Sequence, residues 1–566
     1  MSSDTAEHVR RRAHRVSGEP AAREAHGVPP SGSGAEQVLD LRDLSVQYTR
    51  RGRIASAVGG VSLTIAERES VALVGESGSG KSSIARAVLG LLGQRARVAG
   101  SVRLGGEDLL AVGDRAARRL RGRDVGYVPQ DPGGSLDPLR RVLDQVVEPL
   151  RVHRIGDPRD HRDRALQALR DAGLQDAEAL AGRRPHELSG GQRQRVLIAA
   201  AIVTEPRLII ADEPTSALDV TVQRGILDRI GELTASHGTA LLLITHDLAI
   251  AADRTDRTLA LRRGSVVDEG PSRRLLSSPE HPYTRALVEA IPGRSRTLEA
   301  IHPPVPEAGA PPLVHIEGAA KSFGGRRDPV HALRPTDLQV RPGDSVGIAG
   351  ESGSGKTTLA RILLGLTSPD TGEVKVSGRP VSRGDRAIRR VVQPVFQNPH
   401  SSFDPARTVG WSVLEPVRAL TPRSRAGRPE LLHSLFTDVG LDPSLAARRP
   451  DELSGGQLQR VAIARALSVE PQVLVCDEAV SALDVTVQAQ ILALLARLQR
   501  ERHLALVFIT HDLGVLQQVC RDVLVMRRGE VLERGRTSDV FSAPRTPYTR
   551  ELIAAIPGRE GDAEGD

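Results

Sequence analysis

Short apolar runs alternate with amphipathic stretches along this chain, and the same succession occurs twice. In the first half Ser70–Val74 (SVALV), Leu208–Ala211 (LIIA) and Ala240–Thr245 (ALLLIT) are mostly apolar; SVGIA at Ser345, VLVC at Val473 and ALVFIT at Ala505 answer them in the second. Runs of this length without polar alternation fit strands covered on both faces, the environment of a parallel sheet flanked by helices. After the first run of each half, SSIARAVLGLL from Ser82 and TTLARILLGL from Thr357 carry apolar residues at helical spacing. The charged region from Gln130 to Ser189 predicts a separate helical subdomain. Folds of this kind place ligands at the carboxyl ends of parallel strands, so the loops after these runs become the candidates for chemistry.

Those loops are the most strongly repeated segments of all. GESGSGK stands at Gly75–Lys81 and again at Gly350–Lys356; HELSGGQRQR from His186 is answered by DELSGGQLQR from Asp451. LIIADEPTSALD from Leu208 has its counterpart VLVCDEAVSALD from Val473, and HPYTRALVEAIPGR from His281 has TPYTRELIAAIPGR from Thr546. The duplication predicts two tandem domains, at residues 37–300 and 313–558, joined by a proline-rich linker at 301–312. Residues 1–36, rich in Arg, Glu, Gly, Ser and Pro, read as a disordered tail, and 559–566 as an acidic one.

Composition narrows the class. At 566 residues the chain is too long for one core, and 39% hydrophobic with 26% charged residues is the balance of a soluble globular protein. No stretch approaches the roughly 18 apolar residues of a spanning helix, and no early apolar segment reads as a secretory signal. Cys476 and Cys520 are the only cysteines, which excludes a disulfide framework or a cysteine metal cluster. The net charge of +7 comes from arginines spread along the chain, so nucleic acid is not an expected partner. Lysine occurs only at 81, 321, 356 and 375, and two of these four lie in the glycine loops, where a compact charge on a flexible stem is needed.

The glycine loops match G-x-x-x-x-G-K-[ST] through Gly75, Gly80, Lys81 and Ser82, and through Gly350, Gly355, Lys356 and Thr357. Glycines let backbone N–H groups turn inward around phosphate oxygens, and the following helix N-terminus adds its dipole. The lysine reaches the terminal phosphates, and the hydroxyl next to it can ligate Mg²⁺. Asp212 and Asp477 each end an apolar strand, suited to hold Mg²⁺, and are followed by Glu213 and Glu478, suited to orient an attacking water. Ser189 and Ser454 stand where a helix N-cap belongs, followed by glycines and by helix-forming residues running to Pro206 and Pro471.

Together the P-loop, LSGGQ, the DE-xx-SALD segment and a histidine after the next strand resemble the ABC-transporter ATPase family over nearly all of both halves. The resemblance implies an α/β fold: two tandem P-loop NTPase domains, each with a mainly parallel sheet, an antiparallel β part and a helical subdomain. It further implies that the two domains pack head to tail, so that each ATP lies between the P-loop of one and the LSGGQ of the other. Lys81 would then share its nucleotide with Ser454, and Lys356 with Ser189, which explains why one chain carries the loop twice. By the same match Ser77, Gly78, Ser83, Ser352, Gly353 and Thr358 belong to the phosphate loops. Gly190, Gly191 and Gln192, with Gly455, Gly456 and Gln457, belong to the signatures. Gln130 and Gln397 match the glutamine that senses Mg²⁺ and water, and His246 and His511 the histidine that contacts the γ-phosphate. Tyr48 and Phe323, equally far ahead of their loops, match the aromatic that stacks on adenine. Ala479 and Val480 replace the Pro-Thr of the first copy, but the carboxylates remain, so neither site reads as degenerate.

The wording GESGSGK and the PYT tails resemble the oligopeptide, dipeptide and nickel importer ATPases, normally separate subunits but here fused. That resemblance implies two membrane permease subunits, an extracytoplasmic solute-binding protein and a peripheral place on the cytoplasmic face of the cell membrane. The tails hold no cysteine, so the iron–sulfur cluster of some relatives is not expected. A twin-ATPase translation factor on the ribosome is the alternative from another class. It calls for a long charged linker and LSGGE-type signatures, whereas both signatures here end in glutamine, at 192 and 457.

Overall fold

The computed structural model describes residues 36–558 apart from 51–52, 112, 216–217, 293–309, 326–328, 382–384, 422–426 and 482. The expected N-terminal tail up to residue 35, the linker from 301 to 309 and the acidic tail at 559–566 lie outside the described residues.

The first copy runs through β1 (Gln37–Arg50), β2 (Arg53–Ala66), β3 (Ser70–Val74), β4 (Ala96–Leu104), β5 (Glu107–Asp108), β6 (Val125–Val128), β7 (Leu208–Asp212), β8 (Ala240–Thr245), β9 (Arg257–Arg262) and β10 (Ser265–Pro271). The second repeats it with β11 (Val314–Phe323), β12 (Val330–Val340), β13 (Ser345–Ala349), β14 (Thr371–Val376), β15 (Arg379–Pro380), β16 (Val392–Val395), β17 (Val473–Asp477), β18 (Ala505–Thr510), β19 (Asp522–Arg527) and β20 (Glu530–Arg536). Each copy has a six-stranded sheet, ordered β10-β9-β3-β8-β7-β6 and β20-β19-β13-β18-β17-β16. All neighbours in it pair in parallel except the final hairpins β9–β10 and β19–β20. A four-stranded antiparallel sheet, β2-β1-β4-β5 or β12-β11-β14-β15, completes each copy.

The apolar runs are buried on both faces because successive side chains point to opposite sides. Leu208, Ile210, Leu242 and Ile244 pack with the antiparallel sheet and with Ile84 of the helix Lys81–Val88. Their neighbours Ile209, Ala211, Leu241 and Leu243 pack against the helices Val142–His153, His161–Asp171 and Gly190–Ile202. The region between Gln130 and Ser189 is thus helical as expected but not separate, since its apolar faces share one core with the main sheet. The signature helices end earlier than the expected prolines, at Ile202 and Leu467. Glu205 (φ 55°) and Glu470 (φ 53°) adopt left-handed backbone just before Pro206 and Pro471, where a following proline disfavours helix.

The described residues from Gln37 onward form one compact unit, and the C-terminal segments cross between copies. Arg224 Nη1 donates to Ala554 O (2.6 Å), and Gly558 N donates to the Asp253 carboxylate (2.9 Å). In the other direction a Cβ on Gly514 would stand 3.1 Å from Pro292 Cβ. No helix among the described residues is long and apolar enough to cross a membrane.

Candidate functional site

Both GESGSGK loops leave a parallel strand, β3 or β13, and run into a helix whose first residue is the lysine. Gly80 (φ 110°) and Gly355 (φ 105°) hold left-handed backbone, and a Cβ on either would collide with the carbonyl oxygens of Ala57 and Ala332. Only glycine fits there. Lys81 and Lys356 are each 5% exposed and lie back along their own loops. Lys81 Nζ donates to the carbonyls of Gly75 (2.5 Å) and Glu76 (3.0 Å), and Lys356 Nζ to those of Gly350 (2.5 Å) and Glu351 (2.7 Å). Burial lowers both ammonium pKa values, against the opposing pull of nearby carboxylates. Among those carboxylates are Asp484 for Lys81 and Asp219 for Lys356, each from the other copy.

The strand-end carboxylates stand beside these loops. Ser82 Oγ donates to Asp212 Oδ1 (3.3 Å) and Tyr127 Oη to Asp212 Oδ2 (3.4 Å). Burial and the adjacent glutamate raise the pKa of both Asp212 and Asp477. Glu213 (φ 46°) and Glu478 (φ 49°) adopt left-handed backbone that is uncommon outside glycine. The amide of each bonds to the next strand, at Ile244 O (2.9 Å) and Ile509 O (2.8 Å), which holds that conformation in place. The turned carboxylates meet the glutamine and histidine candidates, a pairing the sequence did not indicate. Gln130 Nε2 donates to Glu213 (2.9 Å) and Gln397 Nε2 to Glu478 (2.6 Å); His246 Nδ1 is 3.5 Å from Glu213 and His511 Nδ1 is 3.4 Å from Glu478. Burial would raise the two glutamate pKa values and lower those of the histidines, but the pairing between them outweighs it: the glutamates are lowered and the histidines raised.

The LSGGQ segments form capped helix N-termini. Ser189 Oγ accepts from Gln192 N (3.3 Å) while Ser189 N donates to the Gln192 side chain (3.0 Å), and Ser454 and Gln457 repeat both bonds. A Cβ on Gly191 would lie 2.8 Å from Val222 Cγ1, and one on Gly456 2.5 Å from Val487 Cγ1, so the long helix behind requires these glycines.

Elements of both copies then meet around one cavity of about 1110 Å³. Its walls include Ser77 to Ser83, Gln130, Glu213 and His246 from the first copy, and Ser454, Gly455, Gly456 and Asp484 from the second. The reciprocal seam is marked by direct bonds: Ser352 N donates to Asp219 Oδ1 (2.9 Å), and Thr221 Oγ1 to Glu351 Oε1 (2.9 Å). The two aromatic candidates differ. Tyr48 Oη lies 3.3 Å from Ser83 Oγ beside the first loop, whereas Phe323 is 44% exposed with the Lys321 ammonium 5.7 Å from its ring centre. Tyr48 does not line the cavity beside its loop.

Asp219, Asp484, Thr221 and Thr486 were not among the sequence candidates, although SALDVTVQ is identical in the two copies, at 216–223 and 481–488. Tyr127, Glu76 and Glu351 were missed as well, and the tail tyrosines Tyr283 and Tyr548 drew notice only as part of a motif.

Comparison with known proteins agrees with this geometry. A family model described as ABC transporter matches residues 58–216 and 333–481. A second, described as oligopeptide/dipeptide transporter, C-terminal region, matches 267–323 and 532–565. A peptidoglycan transport ATP-binding protein of Agrobacterium fabrum is 39% identical over 92% of this chain and 97% of its own. A glutathione import ATP-binding protein of Pectobacterium atrosepticum is 37% identical over 92% of this chain and 90% of its own.

Proposed function

The chain belongs to the ABC transporter family, and on that premise we propose that it is the ATP-hydrolysing subunit of an importer for peptides or related small solutes. The match of both tails to the oligopeptide/dipeptide C-terminal region supports the peptide class, as do relatives named for peptidoglycan and glutathione transport. Separate permease subunits, an extracytoplasmic binding protein and a peripheral place on the cytoplasmic membrane face follow from that reading.

The observation that carries it is the shared cavity, walled by a phosphate loop from one copy and a capped, glycine-exposed helix N-terminus from the other. Both walls suit an anion: inward backbone N–H groups on one side and a helix dipole on the other. A nucleoside triphosphate bridging them would hold the copies closed, and its cleavage would release them. Lys81 and Lys356 would leave their loop carbonyls to meet the β- and γ-phosphates. Ser82 with Asp212, and Thr357 with Asp477, offer hydroxyl and carboxylate oxygens that suit Mg²⁺, with Gln130 and Gln397 completing the set. Bound Mg²⁺ would neutralise phosphate charge. Glu213 and Glu478, kept ionised by their histidines, would orient the attacking water and accept its proton.

Replacing Glu213 and Glu478 together by Gln tests this reading. Steady-state ATP hydrolysis should fall by roughly 10²–10⁴-fold while ATP remains bound. Near-normal turnover in the double variant removes both glutamates from the reaction.

A further inference from the structure

Each PYT tail begins a helix, Pro282–Glu289 or Pro547–Ala554, whose tyrosine is almost wholly buried: Tyr283 is 6% exposed and Tyr548 3%. Neither hydroxyl ends in apolar packing. Tyr283 Oη accepts from the backbone N–H of Glu76 (3.0 Å), the second residue of the first phosphate loop. Tyr548 Oη accepts from the N–H of Glu351 (3.1 Å), the same residue of the second. Arginines of the adjoining strands stand over both rings, Arg262 at 5.2 Å from the centroid and Arg527 at 4.5 Å. Burial raises both phenol pKa values, that of Tyr548 to about 12, so the rings stay neutral and their oxygens remain acceptors for an amide.

The same two glutamates reach across the seam. Thr486 Oγ1 of the second copy donates to Glu76 Oε1 (3.0 Å), and Thr221 Oγ1 of the first donates to Glu351 Oε1 (2.9 Å). The carbonyl of each glutamate is, in addition, one of the two that hold the loop lysine. One residue therefore ties three things together. Its amide is fixed by the tail, its carbonyl touches the phosphate-binding lysine, and its carboxylate contacts the opposite copy. Both copies have the whole arrangement.

We infer that Tyr283 and Tyr548 are positioning residues for ATP hydrolysis, anchoring the second residue of each phosphate loop so that its carboxylate engages the opposite copy as the seam closes. The tails then serve the nucleotide sites directly. Without the hydroxyl, the glutamate amide has no acceptor there and the loop start can move, which loosens the lysine and the cross-seam bond together. The inference rests on the ATPase reading above and assigns a role to the tail within it.

The test is steady-state ATPase kinetics of the full chain carrying Tyr283→Phe and Tyr548→Phe. Phenylalanine keeps the ring in its packing and under its arginine, so the fold should persist, and melting temperature is measured alongside. The expected result is a KM for ATP raised roughly threefold to tenfold, a smaller fall in kcat and a Hill coefficient moved toward one. Thr221→Val with Thr486→Val should shift the same parameters, and the four changes together should cost less than the product of the two pairs, because both act through one glutamate. A tyrosine pair with KM, kcat and Hill coefficient within about twofold of the parent overturns the proposal, whatever its melting temperature. So do effects that multiply independently with those of the threonine pair. If the paired variant does not fold, Tyr283→Phe or Tyr548→Phe alone carries the same expectations for one site. A parent chain without ATPase activity overturns the function proposed above and this inference with it, whereas an active parent with unaffected tyrosine variants removes only the inference.

Discussion

The two copies agree closely in the bonds that join them at the phosphate loops and diverge on an outer strand that each keeps to itself. The hydrogen bonds across the seam at the phosphate loops, among the described residues, involve positions identical in both copies: Thr221 with Glu351, Thr486 with Glu76, and Asp219 with Ser352. The pairing of glutamine, glutamate and histidine is likewise the same to within a few tenths of an ångström. One difference appears on the outer strand of the main sheet. Tyr127 donates a hydrogen bond to Asp212 from β6, whereas Pro394 occupies that place in β16 and has no hydroxyl to offer Asp477. A contact surface made of two different polypeptide segments must be complementary from both sides, so a change in one has to be matched in the other. A residue on a private edge has no such partner and can vary alone.

The strongest way to break this comparison is to place two lesions on one seam or on two. If sites are shared between copies, Lys81→Ala with Ser454→Ala damages one nucleotide site and leaves the other whole. Lys81→Ala with Ser189→Ala damages both, and ATPase activity should be lower than in the first pair by roughly 10²–10³-fold. The reverse order, with the Lys81–Ser454 pair the less active, would mean that each copy encloses its own nucleotide.

A smaller effect should expose the private difference. Tyr127→Phe removes one hydrogen bond to a buried carboxylate and should raise the Mg²⁺ concentration needed for half-maximal hydrolysis by about tenfold at the first site alone. Measured in the background of Glu478→Gln, where only that site turns over, the shift should be visible; in the Glu213→Gln background it should vanish. A shift of the same size in both backgrounds would make Tyr127 a general structural residue.

The smallest expected effect is a pH dependence of stability from the paired histidines. Their pKa values are raised in the fold, so their contribution is full below the ordinary imidazole value of about 6.5 and is lost as pH rises through the raised one. The glutamates are lowered, so their part is present above about pH 4.3 and is lost as pH falls through the lowered value. The penalty of His246→Gln with His511→Gln should therefore be greatest near pH 5–6 and fade as pH rises through the raised histidine value. With both pairs partly exposed, it should amount to about 1–3 °C in melting temperature. A penalty that grows with pH would contradict the assigned pairing.

Much of this was legible in the linear chain. The doubled apolar runs announced parallel strands because a strand covered on both faces leaves no polar alternation. The glycine loops announced phosphate chemistry because Gly80 and Gly355 sit where a Cβ would meet a carbonyl. Other parts were hidden for physical reasons. The left-handed turn at Glu213 and Glu478 comes from a bond to the neighbouring strand, which local propensity does not encode. Thr221 and Thr486 read as ordinary helix residues until the opposite copy is brought against them.

The class of fold, the repeat and the phosphate-binding loops could be read from the linear chain alone, since they depend on periodicity and on short-range backbone geometry. It took the folded chain to bring the buried tail tyrosines to the start of the phosphate loops, and the second residue of each loop across the seam. Those contacts join positions more than a hundred residues apart, and each carries a single hydrogen bond, too little to mark the sequence on either side.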